Sequence, residues 1–415
     1  MSFLIPSHDN EQFRVYCVCG GVGFPFGTAT TKRILLIGKC LAASGVPFHL
    51  CHIGPSSFEE NKAGSGDYEG LTFEYLSPSV CRPDKTVKRA LYYLWGCMLL
   101  PLRLFQHRRN ILVYVYCLGD FINLWVLLLC RLMRLPVVQE ACEWWPGKAD
   151  CKPFTKWMYQ NIMFRWSNGA VPISQEIQDR IRRLSGPDYQ LCRMPVLVDP
   201  TENDARLKER LTVDRSSPVL FWCGMVDGYK RDVIFLIDAM SELKSPDGLN
   251  ALLRIAGPCT ENCRLELLYY ARSKHISSER LDIMGFVSDT QLCTYSAQAD
   301  ALLMPLWPDD SSLTRFPTKL GQYLASGRPI VAAQVGEVKH FLSDETAMFY
   351  PPGDAKGLAH SLDRLLSDPA LGERLASRAT QEVLPRVDYR SNASRISKWF
   401  YQIYSKTRLA RIQGK

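Results

Sequence analysis

The feature that most constrains the fold is an alternation of short apolar runs with longer helical patterns, which occurs twice along the chain. In the first half, runs rich in β-branched and aromatic residues are separated by helical patterns of about ten to fifteen residues, the spacing typical of βαβ units. Such units form parallel sheets with right-handed crossover connections. The predicted strands here are 14–19, 47–53, 111–116, 136–140 and 169–173, and the predicted helices are 31–44, 121–133 and 156–167.

The alternation restarts after a polar stretch at residues 195–218, which is bounded by two prolines and contains Thr201-Glu202-Asn203-Asp204. A polar stretch between two such alternations is typical of a domain linker. Beyond it, the predicted strands are 219–223, 251–256, 282–284, 301–304 and 329–333, the predicted helices are 233–243, 263–274, 289–297 and 318–325, and helical patterns at 355–382 and 391–411 close the chain.

We therefore predict an α/β protein of two Rossmann-like, doubly wound domains. Residues 1–198 form the first domain, residues 199–385 the second, and residues 386–415 a helical segment that packs back on the first. The 415 residues are enough for two hydrophobic cores. Because open α/β sheets bind ligands at the carboxyl ends of their strands, a ligand site is expected at that edge.

The basic residues behind the net charge of +8 cluster around one apolar segment. Residues 85–109 combine tyrosine, tryptophan, methionine and leucine with flanking cations, among them Lys85, Lys88, Arg103, Arg108 and Arg109. Such a segment can bind nucleic acid, an anionic membrane surface or a phosphorylated substrate. The chain has no zinc-finger or RNA-recognition signature, so we expect no nucleic-acid partner.

Two interpretations of residues 85–109 stay open: a peripheral contact with a membrane interface, or a buried helix with a solvated basic end. No spanning helix is expected, because Pro101 interrupts the apolar stretch 90–102, and Asp120 and Asn123 interrupt the stretch 111–130. The 15 scattered cysteines, many of them inside apolar runs, indicate reduced thiols. We expect a cytoplasmic protein that acts, where it meets a membrane, at the inner face.

A glycine-rich turn follows the first predicted strand of each half. Residues 19–29 read Cys-Gly-Gly-Val-Gly-Phe-Pro-Phe-Gly-Thr-Ala, and residues 224–231 read Gly-Met-Val-Asp-Gly-Tyr-Lys-Arg. Small residues before a helix let backbone N–H groups approach an anion, and a cation such as Lys230 can stabilise a diphosphate leaving group. Neither turn has the spacing of a nicotinamide site, and an ordinary βα turn is the alternative for both.

The third informative stretch is residues 315–332, Arg-Phe-Pro-Thr-Lys-Leu-Gly-Gln-Tyr-Leu-Ala-Ser-Gly-Arg-Pro-Ile-Val-Ala. Pro317 and Gly327 bracket a short helix as helix ends require. The pattern resembles the nucleotide-binding helix of retaining GT-B glycosyltransferases, specifically glycosyltransferase family 4. Segments 171–174, 220–230, 255–258 and 285–287 are similar to further motifs of that family and follow in the same order.

The resemblance implies a GT-B fold, in which the two domains face a shared ligand cleft and the C-terminal helix returns to the first domain. It also implies a retaining, metal-independent hexosyltransferase. Such an enzyme moves a sugar from a nucleoside diphosphate sugar, here expected to be a UDP or GDP sugar, and needs no other cofactor. If the interfacial interpretation of residues 85–109 holds, the acceptor is a lipid-linked or surface-polysaccharide intermediate. The donor contacts implied are Gly27, Gly224, Lys230, Gly257, Phe286, Val287, Thr314, Arg315, Lys319 and Gln322.

Three departures from the family pattern concern the donor sugar. Met225 stands where the family has an arginine, and neutral Thr314 and Gln322 stand where it has two glutamates. The stretch 139–146, where a histidine is often found, has none, so Glu140 or Glu143 is expected to supply that polar contact. Together with Lys230, these two glutamates are the predicted catalytic residues.

Other functions stay open beside this one. A catalytically degenerate GT-B subunit that supports an active partner would explain the three departures. GT-B-like folds also host sugar-nucleotide epimerases, although the carboxylates of that chemistry are not identifiable here, and the fingerprint of a nicotinamide-dependent dehydrogenase is weak. Asp309 and Asp310 could be a metal-binding pair, but their loop setting and the resemblance favour an acidic turn.

Overall fold

The computed structural model describes residues 13–116, 118–201 and 217–413 of the chain. It divides into two compact units, one formed by Met1–Leu197 with Tyr389–Lys415 and the other by Val198–Asp388. Most of the predicted linker, including Glu202-Asn203-Asp204, lies outside the described residues.

The first unit contains an eight-stranded sheet in the order β3-β4-β2-β1-β5-β6-β7-β8. All neighbouring strands are parallel except β3, which pairs antiparallel with β4. The central strands are almost wholly buried, as expected of a parallel sheet covered on both faces. The strands are β1 Arg14–Cys19, β2 Phe48–His52, β3 Ser65–Tyr68, β4 Leu71–Tyr75, β5 Ile111–Tyr116, β6 Val137–Ala141, β7 Gly169–Pro172 and β8 Gln190–Leu191.

Helices cover both faces of this sheet. They are α1 Ala29–Ala42, α2 Thr86–His107, α3 Asp120–Leu132, α4 Pro153–Met158, α5 Gln175–Ser185 and the C-terminal helix Tyr389–Ile412. The C-terminal helix packs into the core of the first unit beside α1, where Ile396 and Phe400 are completely buried.

The second unit contains a six-stranded, fully parallel sheet in the order β11-β10-β9-β12-β13-β14. Its strands are β9 Val219–Cys223, β10 Leu252–Ala256, β11 Leu281–Gly285, β12 Ala301–Met304, β13 Ile330–Ala333 and β14 Met348–Tyr350. Its helices are α6 Lys230–Ser241, α7 Pro246–Asn250, α8 Glu261–Ser273, α9 Asp289–Gln298, α10 Asp310–Thr314, α11 Thr318–Ala325, α12 Val338–Phe341, α13 Ala355–Ser367, α14 Pro369–Arg378 and α15 Leu384–Val387.

The predicted strands are confirmed, and none differs from the observed strand by more than one residue at either end. The sequence did not predict the edge strands β8 and β14 or the β3–β4 hairpin. Its two-residue turn has positive φ at Glu69 (49°) and Gly70 (80°), the backbone of a tight hairpin turn. The predicted helix 156–167 is wrong in its bounds, because α4 begins at Pro153 and passes into a π-helical turn at Tyr159–Met163.

Helix α2 exposes an apolar face. Its inner face packs through the buried Gly96, Leu100 and Leu104. The outer face carries an apolar stripe of seven side chains, each between 52% and 74% exposed: Val87, Leu91, Leu94, Trp95, Met98, Leu102 and Phe105. Their spacing of three or four residues places them along one side of the helix. The interpretation of residues 85–109 as a buried helix is therefore wrong.

Within the part of the chain that the structure describes, no helix is both long enough and apolar enough to cross a membrane.

Candidate functional site

Three glycines lie side by side at the carboxyl ends of β9, β10 and β11. The Gly224 amide donates to the Ala256 carbonyl (3.0 Å), and the Gly257 amide donates to the Gly285 carbonyl (2.8 Å). Gly257 has a φ of +141°, and a Cβ at this position would overlap the carbonyl oxygen of Gly224. A Cβ at Gly224 would overlap the Trp222 ring, so these two glycines are required by the close packing of the strand ends, whereas the space beside Gly285 is open.

The first turn of α6 brings a cation to this edge of the sheet. Lys230 is the first residue of the helix, and its ammonium pairs with the Glu266 carboxylate on α8. Both side chains are well exposed, 39% for Lys230 and 47% for Glu266. The hydrogen bond between them raises the pKa of Lys230 and lowers the pKa of Glu266. The pair lies at the surface, so a more highly charged anion could replace Glu266 as the partner of Lys230.

Arg315 and Lys319 extend this cationic group from the start of α11. The Arg315 guanidinium donates to the Tyr229 hydroxyl (2.7 Å), which joins the starts of α6 and α11. The Lys319 ammonium lies 4.3 Å from the centre of the Trp222 ring, at cation–π distance. Lys319 is half-buried, and this burial lowers its pKa. Lys230, Arg315 and Lys319 therefore share the carboxyl edge of the second sheet.

Contacts among Trp307, Asp232 and Arg231 lie next to these cations, and the sequence did not predict them. The Trp307 indole donates to the buried Asp232 carboxylate (2.8 Å), and burial raises the pKa of Asp232. Arg231 stacks on Trp307 at 4.1 Å and pairs with Asp309 (2.8 Å). Asp309 also accepts the Ser312 amide and so caps α10. Asp309 thus works in the structure as a helix cap and an ion-pair partner.

The neutral residues at the family's glutamate positions differ in their settings. Thr314 is buried, and its hydroxyl donates to the Asp310 carbonyl (2.7 Å). Gln322 is half-buried, with its amide nitrogen 3.9 Å from the Cys293 sulfur on α9. Of the two, Gln322 retains polar atoms that a ligand could use.

Phe286 and Val287 follow Gly285 at the end of β11. The Phe286 side chain is 80% exposed, an unusual position for a large aromatic ring. Met225 is also exposed, just beyond Gly224 at the neighbouring strand end. These side chains give the glycine-lined edge an apolar margin.

In the first unit, the structure does not support Glu140 as a catalytic group. Glu140 lies on β6 with its side chain only 1% exposed. Arg33 donates twice to its Oε1 atom (3.0 and 2.7 Å), and the Tyr114 hydroxyl donates to its Oε2 atom. Arg33 is itself completely engaged, since it also donates to the Pro195 carbonyl (2.8 Å). Both carboxylate oxygens are occupied inside the core.

Glu143 and Gly27 lie at the carboxyl edge of the first sheet. Glu143 follows β6, is exposed, and pairs with Lys148, whose ammonium lies 3.6 Å from the centre of the Trp145 ring. Gly27 is exposed beside the start of α1, where a Cβ would overlap the Thr31 hydroxyl. Of the two predicted glutamates, only Glu143 is accessible to a substrate.

Comparisons with known proteins bear on both units. Residues 217–368 match the family model described as "Glycosyl transferases group 1". The chain is 26% identical over 251 residues to an alpha-D-kanosaminyltransferase of Streptomyces kanamyceticus, a match that covers 58% of this chain and 61% of the relative. The chain thus spans less than two thirds of the curated relatives that it matches.

Solved structures match over nearly the whole chain. Sucrose-phosphate synthase from Thermosynechococcus elongatus has a TM-score of 0.73 at 15% identity, over 95% of this chain and 100% of that one. Anabaena HepE in complex with UDP and glucose has a TM-score of 0.67 at 16% identity, over 95% and 100%. At such identities the likeness establishes the fold, and the predicted GT-B fold is confirmed.

Proposed function

We propose that this chain transfers a sugar from a nucleoside diphosphate sugar to an acceptor, because residues 217–368 match the family model described as glycosyl transferases group 1. The observation that carries the proposal is the edge of the second sheet. There the side-chain-free backbone of Gly224 and Gly257 lies beside the cations Lys230, Arg315 and Lys319. Cations clustered at the carboxyl ends of parallel strands are what a diphosphate requires.

Each part of the donor has a proposed contact. The exposed Phe286 ring offers a face on which the base can stack, and Gln322 offers an amide to the ribose hydroxyls. The three cations meet the negative charge of the diphosphate, so we propose that transfer proceeds without a metal. A UDP or GDP sugar is the donor class we favour.

We propose a reaction that retains the anomeric configuration. The bond between the anomeric carbon and the diphosphate oxygen breaks, and the acceptor oxygen forms a new bond on the same face of the sugar. The acceptor proton passes to the departing diphosphate. Lys230, Arg315 and Lys319 stabilise the charge that develops on the leaving oxygen, the term that usually contributes most to such catalysis.

The apolar stripe of α2 supports a lipid-linked acceptor, taken up at the inner face of a membrane. Seven exposed apolar side chains on one helix face exceed what an isolated domain surface commonly shows. The stripe lies between the exposed Lys85 and Lys88 at one end and Arg103 and Arg109 at the other, and α2 contains no acidic residue. An apolar face flanked by cations fits an anionic bilayer surface.

A catalytically degenerate subunit is the second candidate. The observation that favours it is the neutral character of the donor-sugar positions, Thr314 with its hydroxyl turned to its own helix and Gln322 without charge. Such a subunit could still bind nucleotide, but would not release nucleoside diphosphate from a donor sugar.

The decisive test is a panel of UDP, GDP and ADP sugars, with binding followed by thermal shift and nucleoside diphosphate release followed by mass spectrometry. We expect one donor class to bind and to be consumed when a lipid extract is added. Gln322→Leu should weaken donor binding by about 1–3 kcal/mol, since a buried hydroxyl loses its partner. Binding without any turnover would favour the degenerate subunit, and no binding of any donor would contradict the proposed function.

The membrane contact is tested with vesicles of phosphatidylcholine and phosphatidylglycerol. The triple variant Leu94→Gln, Met98→Gln and Leu102→Gln should sediment less with vesicles than the parent protein. A matched control replaces Leu249 and Leu265, which are similarly exposed in the second unit, with glutamine. Equal loss in both variants, or none in either, would contradict a role for the stripe.

A further inference from the structure

A cavity of about 320 Å³ opens at the carboxyl edge of the first sheet, beside the start of α2. It is lined by Gly21, Pro55, Ser57, Arg82, Arg89 and Tyr93. All of these residues belong to the first unit, whereas the proposed diphosphate contacts belong to the second. The cavity is large enough for a sugar phosphate or a lipid headgroup.

Tyr93 forms a fixed wall of this cavity. Its ring occupies the space where a Cβ at Gly54 would lie, so the glycine makes room for it. Burial raises the pKa of the Tyr93 hydroxyl, while Arg82, the Gly21 amide and Arg89 act in the opposite direction. Arg82 and Arg89 line the same cavity as this hydroxyl-bearing ring.

The two arginines bring uncompensated charge to the cavity. Arg89 and Tyr93 are one helical turn apart on α2 and share a face, and Arg82 reaches the cavity from the preceding loop. Arg89 has a single weak contact, to the Thr86 hydroxyl at 3.4 Å. Within residues 13–116, 118–201 and 217–413, neither arginine forms an ion pair with a carboxylate. Their N–H groups remain available to an anion.

We propose that this cavity binds a phosphoryl group of the acceptor, through the guanidinium groups of Arg82 and Arg89. Arginine presents paired N–H donors that match phosphate oxygens, and two arginines on one cavity suit a doubly charged group. The hydroxyls of Ser57 and Tyr93 would contact the remaining oxygens. This inference rests on the proposed function, because it names the chemical class of the acceptor for the same transfer.

The position of the cavity leaves two sources for the phosphoryl group. The first turns of α2 supply both Arg89 and the beginning of the apolar stripe, on opposite sides of the helix. A lipid headgroup phosphate at the bilayer on which the stripe would lie is one source. A soluble sugar phosphate offers the same chemistry without the lipid.

The test measures binding of two probes to the full chain, glycerol 3-phosphate in solution and vesicles of phosphatidylcholine with phosphatidic acid. The double variant Arg82→Gln, Arg89→Gln should weaken binding of at least one probe by about a hundredfold, roughly tenfold for each lost charge-assisted contact. The matched control Lys152→Gln, Lys156→Gln removes the same charge from exposed positions of the first unit that lie outside the cavity and outside α2, and should retain most of the binding. Arg89→Lys should restore part of the affinity.

The outcomes separate the sources and the alternatives. Arginine-dependent binding of glycerol 3-phosphate indicates a soluble acceptor phosphate, and arginine-dependent binding of vesicles alone indicates a lipid phosphate. Equal losses in the arginine and lysine variants, or unchanged binding in the arginine variant, would overturn the inference. So would loss of glycerol 3-phosphate binding in Lys230→Ala, because the anion would then occupy the proposed diphosphate site.

Donor binding distinguishes this inference from the proposed function. The arginine variant should keep the thermal shift of the parent protein with a nucleoside diphosphate, which also shows that it is folded. If the parent protein binds the phosphate probe but no nucleotide sugar, the proposed function fails and the cavity remains a phosphate site.

Discussion

Two ion pairs, one in each unit, show how burial determines the role of an ion pair between a cation and a glutamate. Arg33 and Glu140 form the pair in the first unit, and Lys230 and Glu266 form the pair in the second. The side chains of the first pair are 6% and 1% exposed, and those of the second are 39% and 47% exposed. Each pair contains a residue that the sequence predicts to be catalytic, but only the exposed one can meet a substrate.

The difference follows from what each pair would lose on separating. The oxygens of Glu140 accept from Arg33 and Tyr114 in the core, where no water can replace these partners. Lys230 and Glu266 exchange their contact for water at little cost, since exposed ion pairs add little to stability. A nucleoside diphosphate carries more charge than one carboxylate, so it can take Lys230 from Glu266. The exposed pair is suited to catalysis and the buried pair to holding β6 in place.

The largest effect is expected for Glu140→Ala. This change leaves the Arg33 guanidinium buried without its carboxylate, which should destabilise the fold by about 3–5 kcal/mol. Glu143→Ala, three residues away and exposed, should change stability by no more than about 0.5 kcal/mol. Denaturant unfolding of the two variants measures both values. Equal stabilities of the two variants would show that the ion pair with Arg33 does not make Glu140 more important to the fold than Glu143.

A smaller effect, on turnover alone, is expected for Lys230→Ala. If Lys230 stabilises the leaving diphosphate as we propose, its removal should lower kcat about a hundredfold or more, as removal of a positioned donor does in other enzymes. The thermal midpoint should stay the same because the side chain is exposed. Glu266→Gln is the control, since it removes the partner and leaves Lys230 free, and it should retain turnover. Equal loss of turnover in both variants would mean that the intact ion pair, and not the charge of Lys230 on the diphosphate, is what turnover requires.

The ten predicted strands of the two sheets could be found because parallel strands covered on both faces are continuous apolar runs. β1 and β5 are of this kind, and their predicted bounds match the structure. The hairpin strand β3, Ser-Gly-Asp-Tyr, has neither an apolar run nor an alternation, so its pairing with β4 is decided by the turn at Glu69 and Gly70. A tight turn between short polar strands is a weak signal in one sequence.

The candidate site was predictable in its place but less so in its contacts. Lys230 and Lys319 lie in the first turns of α6 and α11, and Arg315 lies between α10 and α11, and parallel topology brings such positions to one edge. Their partners were not predictable, because Glu266 is 36 residues from Lys230 and Arg33 is 107 residues from Glu140. The sequence could not show that Glu140 points into the core, since β6 is buried on both faces and periodicity gives no inner side.

In burial, Lys319 is intermediate between the buried Arg33–Glu140 pair and the exposed Lys230–Glu266 pair. It gives the smallest and most specific prediction. Its ammonium is half-buried over Trp222, and within the described residues no carboxylate forms an ion pair with it. Burial lowers its pKa, and a diphosphate beside it would raise the pKa again. At a pH above this lowered pKa, Lys319 is deprotonated in the free protein. Binding of a diphosphate is then accompanied by uptake of one proton.

Affinity for a nucleoside diphosphate should therefore be greatest below the lowered pKa of Lys319 and fall as the pH rises through it, by at most about tenfold per pH unit for one proton. Titration calorimetry above neutral pH, in two buffers of different ionisation enthalpy, measures the proton uptake directly. Lys319→Arg should keep the affinity and lose the uptake, because arginine stays charged throughout this range. Lys319→Met should lose both. Proton uptake that persists in the arginine variant would assign the titrating group to another residue, and Lys319 would then behave like an ordinary surface lysine.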